Sequence, residues 1–130
     1  DTLKLKQALD AIYTTSINVG ISTVQSDLGP THKDFSEDIA SFRDSRSVFV
    51  ANNFGNMMKV VIDKLSSDHG KEEKIREVFN LLSAKSALLA KSETEAAFSY
   101  GKELALQNLR TALLPSLGLT DEMNLLESHD

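Results

Sequence analysis

The chain has no cysteine and no tryptophan, and only two prolines in 130 residues. Without a thiol there can be no disulfide, zinc–thiolate site, iron–sulfur cluster, thioether-linked haem or cysteine nucleophile. The lack of crosslinks does not argue for a compartment. A chain of this size hides roughly two-thirds of its unfolded surface on folding and needs no staples. There is no run of eighteen or more apolar residues, which excludes a membrane-spanning helix on pattern alone. No Asn-x-Ser/Thr triplet occurs, so no N-glycan is expected.

Catalytic signatures are missing as well. There is no Gly-x-Ser-x-Gly elbow and no phosphate-cradling glycine loop. The histidines are His32, His69 and His129, and none has an acid three residues before it. The Glu-x-x-His pair of carboxylate-bridged bundles is therefore absent, as is His-x-x-x-His. Paired acids such as Glu72-Glu73 and Glu93/Glu95 fall where first helical turns are expected, and there they complement the helix dipole. The expectation is a non-enzyme with no metal and no cofactor.

The formal charge of −5 is unevenly placed. Residues 115–130 carry four acids and no base, whereas the preceding body is nearly balanced. No basic stripe exists to neutralise phosphates, so nucleic acid is not an expected partner. The chain begins at Asp1 and shows no apolar leader. The expectation is a secreted protein after signal-peptide removal, the alternative being a soluble intracellular fragment.

What the chain does have is helical periodicity over most of its length, within the size of one domain spanning 1–130. Its most unusual segment is Ala11–Ser26, sixteen consecutive residues without a charge. Thr14, Thr15, Ser16, Asn18, Ser22, Thr23 and Gln25 interleave there with β-branched and aromatic residues. β-Branched side chains favour strands, and Gly20 weakens a helix by about 1 kcal/mol. No turn dipeptide splits the run, however, so an inner helix over 2–28 is expected, stopped by Gly29-Pro30.

Further helices are expected at 31–52, 54–68, 71–91 and 93–114, with a short one at 120–127. The fold class is thus an all-α compact bundle of about five helices. Thr31-His-Lys-Asp34 resembles a capping box for the second helix. Asn52-Asn53-Phe54-Gly55-Asn56 is expected to kink or end it. Ser92-Glu-Thr-Glu95 is another capping-box pattern. An unbroken helix over 71–114 would run to roughly 65 Å, long for a compact domain, so a break near 91–94 is expected. The Ala- and Ser-rich stretch from Ser83 to Ala105 permits close helix approach.

The most suggestive constellation is a stripe at seven-residue spacing, Phe35, Phe42 and Phe49. Arg46 and Asn53 fall on the neighbouring line. Such an arrangement suits either an apolar pocket whose guanidinium meets an anionic head group, or a core stripe whose arginine snorkels outward. Asn18 and Gln25 cannot easily satisfy their amides on their own helix, so they face protein, water or ligand. Met57 adds an adaptable lining side chain. The candidate ligand-binding residues are Asn18, Gln25, Phe42, Arg46, Phe49, Asn53 and Met57. Together they favour a carrier of an apolar or lipid-like small molecule. The alternatives are a protein-interaction or effector module, or a homo-oligomeric structural module.

Overall fold

Three helices carry the described chain: α1 (Thr2–Leu28), α2 (Ser36–Ser67) and α3 (Glu72–Ser116). The computed structural model describes residues 2–67 and 72–118, with the side chains of residues 65–67 left aside. Among the described residues there is no strand, so the all-α expectation holds. The expected final helix at 120–127 lies outside them, as do His69 and His129.

Among the described residues, the expected five helices are corrected to three. α2 runs without interruption through Asn52–Asn56, and α3 runs without interruption through 91–94. The reason is local. No proline occurs in either stretch, and no glycine or proline lies between Lys71 and Tyr100. Asparagine and a single glycine cost a helix about 1 kcal/mol or less each, which flanking packing can offset. Gly55 has such packing, since a Cβ there would lie 2.8 Å from Thr2 Cγ2 at the start of α1.

The capping of α2 also differs from expectation. The helix begins at Ser36, not Thr31. Asp34 Oδ1 accepts from the backbone N–H of Ser36 at 3.0 Å and from its hydroxyl at 2.6 Å. The first backbone bond then runs from Ile39 N–H to the Phe35 carbonyl. Thr31 is drawn the other way, its hydroxyl accepting from Gln25 Nε2 at 2.8 Å. Gly29 ends α1 as its sequence position suggests. Its φ of 110° lies outside what an L side chain readily adopts, and its N–H donates to Gln25 O.

The helices run up, down and up. Thr2 approaches Gly55, so α1 and α2 are antiparallel. Tyr13 meets Glu93 and the His32 N–H meets Asn108 Oδ1, so α1 and α3 run parallel. α1 is the central element, packed most extensively against α3, next against α2, while α2 and α3 touch least. The core is accordingly built on one face of α1: Leu9, Tyr13, Ile17, Ile21 and Val24, joined by Phe35, Ile39, Ala51, Ala97 and Ala105.

The α1–α3 crossing depends on small residues. Ser16 and Gly20 on α1 lie at i, i+4, as do Ala97, Gly101 and Ala105 on α3, and all five are buried. A Cβ on Gly20 would collide with the Phe98 carbonyl oxygen and sit 2.9 Å from Lys102 N. One on Gly101 would collide with the Ile17 carbonyl. These are backbone-to-backbone contacts, and only glycine allows them.

The helices differ in length, and that sets the outline. α1 is about 40 Å long, α2 about 48 Å and α3 about 67 Å. α1 starts level with Gly55 on α2 and, by the Tyr13–Glu93 register, about level with Leu82 on α3. The part of α2 after Gly55 and the part of α3 before Leu82 therefore extend past it as an arm. No described residue from Asn52 to Lys64, or from Glu72 to Ser92, is buried.

Candidate functional site

Two places stand out: a polar junction inside the body and an apolar face on the arm. At the junction the three helices meet in one hydrogen-bonded unit. The Tyr13 hydroxyl donates to Glu93 Oε1 at 2.6 Å. Arg46 Nε donates to the same oxygen at 2.6 Å, and Arg46 Nη2 donates to Glu93 Oε2 at 3.1 Å. Tyr13 and Glu93 are buried, at 0% and 5% exposure, while the arginine reaches partly into water. Phe42 completes the cluster. It packs edge-on to Tyr13 with ring centroids 5.4 Å apart, stacks on Tyr100 at 4.6 Å, and lies under the Arg46 guanidinium at 5.4 Å.

The electrostatics follow from that geometry. The fork from Arg46 holds the Glu93 carboxyl below its usual range against the opposing effect of burial, and the Tyr13 hydroxyl adds to the lowering. Burial, then the bond to Glu93, pushes the Tyr13 phenol well above its ordinary value. Glu93 raises Arg46 in turn, chiefly through the hydrogen bond. Each shift favours the same state of the unit: neutral phenol, carboxylate and guanidinium. Such a unit orients helices. It offers no group poised to exchange a proton near neutrality.

The sequence-derived candidates fall in separate places. Phe42, Arg46 and Phe49 line one shallow opening with Ser41, Ser45 and Tyr100. Arg46 lies beside the aromatic stripe, but its carboxylate partner is the protein's own Glu93. Phe49 is 67% exposed. Asn18 sits on the outward face of α1, its amide donating to the Thr14 carbonyl at 2.9 Å. Gln25 ties the end of α1 to the following loop through Thr31. Asn53 is exposed and Met57 half-buried. The uncharged segment is likewise not wholly internal. Thr15, Asn18, Val19, Ser22 and Ser26 form an open face on α1.

Sequence reasoning missed Glu93 and Tyr13 as partners of Arg46, because Ser92–Glu95 matched a helix start. A signal was present. Glu93 lies on the same helical face as Ala97, Tyr100 and Leu104, a lone acid on an otherwise apolar line.

The second place is the arm. Ile75, Phe79, Leu82 and Leu89 continue the α1-facing line of Glu93 and Ala97. On α2, Phe54, Met58 and Ile62 continue the line of Ser47 and Ala51. Phe79 is 68% exposed, and Ile62 and Ile75 are about half exposed. At the root of the arm, Thr2, Leu5, Phe54, Met58, Lys59 and Ile62 line an open groove of about 470 Å³.

Among the described residues no group of three or more His, Asp or Glu lies together as a metal site would require. No helix there is long and apolar enough to cross a membrane. A scan against protein-family models and searches of curated proteins and solved structures find no match to this chain.

Proposed function

We propose that this chain is a non-catalytic helical protein that works by associating with another macromolecule through its arm. One observation carries this reading. The core-facing lines of α2 and α3 carry exposed apolar side chains in the arm, Ile62 and Ile75 about half exposed and Phe79 68%. Apolar side chains in a line along a helix face are what an association surface presents. The polar junction fits the same role, because it fixes how the two longer helices leave the body.

The test is retention of a macromolecular partner, whether self or other. Native protein, Phe79→Glu and the control Ser22→Glu on the outer face of α1 would be compared in affinity capture from the source material and in light scattering. Partner retention by the native protein and by Ser22→Glu, lost in Phe79→Glu, is expected. A native chain that neither self-associates nor holds any partner sinks the proposal.

A second reading rests on the groove at the root of the arm. Its volume lies within the range that small ligands occupy, and its mostly apolar lining with one lysine, Lys59, suits an apolar molecule with an anionic end. A carrier of this kind would show saturable binding of a fatty-acid probe, weakened by Met58→Glu. Absence of saturable binding removes this reading and leaves the first untouched.

A further inference from the structure

Apart from the arm, we infer that the opening around Arg46 binds a small organic acid, a carboxylate carried on an aromatic or aliphatic body. The opening is built from two adjacent lines of α2, Ser41–Ser45–Phe49 and Phe42–Arg46, together with Tyr100 of α3. Its volume is about 440 Å³, in the lower part of the range that small ligands occupy.

The lining is rich in donors and includes no acid. Its polar groups are the Ser41, Ser45 and Tyr100 hydroxyls and the Arg46 guanidinium. Glu93 takes Nε and Nη2 on the buried side. With 39% of the arginine side chain exposed, the Nη1 edge is left to the opening. Asp38, whose charge reaches Tyr100, is already paired with Lys33 at 3.1 Å. The opening therefore suits a group that only accepts hydrogen bonds, and a carboxylate has oxygens for the guanidinium edge and for a hydroxyl at once. Glu93 already balances one positive charge, so a single negative charge fits better than a phosphate dianion.

The site is also set before anything binds. An exposed arginine ordinarily loses rotamer freedom when it holds a ligand. Arg46 has lost that freedom already, through its two bonds to Glu93 and the Phe42 ring 5.4 Å from the guanidinium. Phe42 is fixed in turn by its edge contact with Tyr13 and its stack on Tyr100. Binding to such a preorganised surface carries little ordering cost. Phe49, 67% exposed, supplies apolar area for the body of the acid.

An NMR titration of isotope-labelled protein with phenylacetate, following amide and arginine Nε–H resonances, tests this. The expected result is saturable binding at about 1 mM, the strength a ligand of that size supplies. The shifts centre on residues 41–49 and on Tyr100. Phenylacetamide, which has the same shape without the charge, binds about tenfold more weakly or worse. Ser41 and Ser45 are exposed, so an acid at either leaves the fold intact. Ser45→Glu, and independently Ser41→Glu, weaken phenylacetate binding by about tenfold with helical circular dichroism unchanged. Ser22→Glu leaves binding as it is. No saturable shift at tens of millimolar overturns the inference, as does equal affinity for acid and amide. Affinity untouched by both serine variants overturns it as well. Shifts centred instead on Phe54, Met58 and Ile62 also overturn it and place the acid in the groove at the root of the arm.

Discussion

Gly20 of α1 and Gly101 of α3 face each other across the parallel helix crossing, each filling the space where the other's helix presents its backbone. This relationship decides how near α1 can lie to α3. It also explains why an inner helix tolerates so many β-branched residues. Ile17, Ile21 and Val24 recover in burial what they lose in propensity, and the close crossing is what buries them.

Alanine at either glycine should therefore behave opposite to the helix-propensity rule. In an exposed helix, Gly→Ala gains about 1 kcal/mol. Here the added methyl meets main-chain atoms that cannot rotate away. Gly20→Ala and Gly101→Ala are each expected to lose about 2 kcal/mol through overpacking. Urea unfolding measures this, and a stabilised Gly20→Ala would contradict the close crossing.

Gly29 offers a contrast. A Cβ there meets nothing within 4 Å, but its φ is +110°. Gly29→Ala should cost about 1–2 kcal/mol for backbone conformation alone. Gly29→Asn should recover part of that loss, whereas neither change should alter packing elsewhere as seen in methyl chemical shifts.

The Tyr13–Glu93–Arg46 junction should show energetic coupling. Tyr13→Phe removes one donor to a charged acceptor, a loss of about 1.5–3 kcal/mol. Arg46→Ala leaves a buried carboxylate with a single partner. Its cost is expected at about 2 kcal/mol, below that of a fully buried pair because the guanidinium reaches solvent. A double-mutant cycle between Tyr13→Phe and Arg46→Ala is expected to be non-additive, since both donate to Glu93 Oε1. Strict additivity would show that the three groups do not act as a unit.

The pH dependence follows with its sign. The Glu93 carboxyl is lowered in the folded state, so its contribution is present above the ordinary glutamate value of about 4.3 and is lost as pH falls through the lower folded value. Glu93→Gln should be less stable at neutral pH, and its stability should fall less steeply on acidification. At the other extreme both tyrosines, Tyr13 and Tyr100, are raised, mainly by burial. Their contribution is complete below about pH 10 and is lost as pH rises beyond it. Phenolate absorbance should therefore lag behind that of free tyrosine until the protein unfolds. A normal titration of both rings while the fold persists would refute their placement.

Ser47 is buried, and its hydroxyl has no partner. Ser47→Ala removes an unsatisfied polar group from the α1-facing line of α2. It is expected to be neutral or stabilising by up to about 1 kcal/mol in thermal unfolding.

Much of this was legible in the chain before any coordinates. The helical periodicity over 2–28, the stop at Gly29-Pro30 and the aromatic line through Phe42 are local patterns, and local patterns report helices. The same locality misled at Asn52–Asn56 and Ser92–Glu95. Each resembles a helix end when read over a few residues, and each continues because nothing in it breaks the hydrogen-bond ladder. The candidate site was only half legible. Arg46 beside phenylalanines could be read from seven-residue spacing, but its partner stands 47 positions away in sequence.

By itself, then, the sequence determined an all-helical chain without thiol or metal-motif chemistry, because composition and periodicity are properties of single segments. Only the tertiary structure decided that Gly20 serves a crossing and does not merely weaken a helix, and that Glu93 belongs to the core. It alone showed that Ile75 and Phe79 of α3 stay exposed. Those outcomes depend on which backbones meet and at what register, and no short-range pattern encodes that.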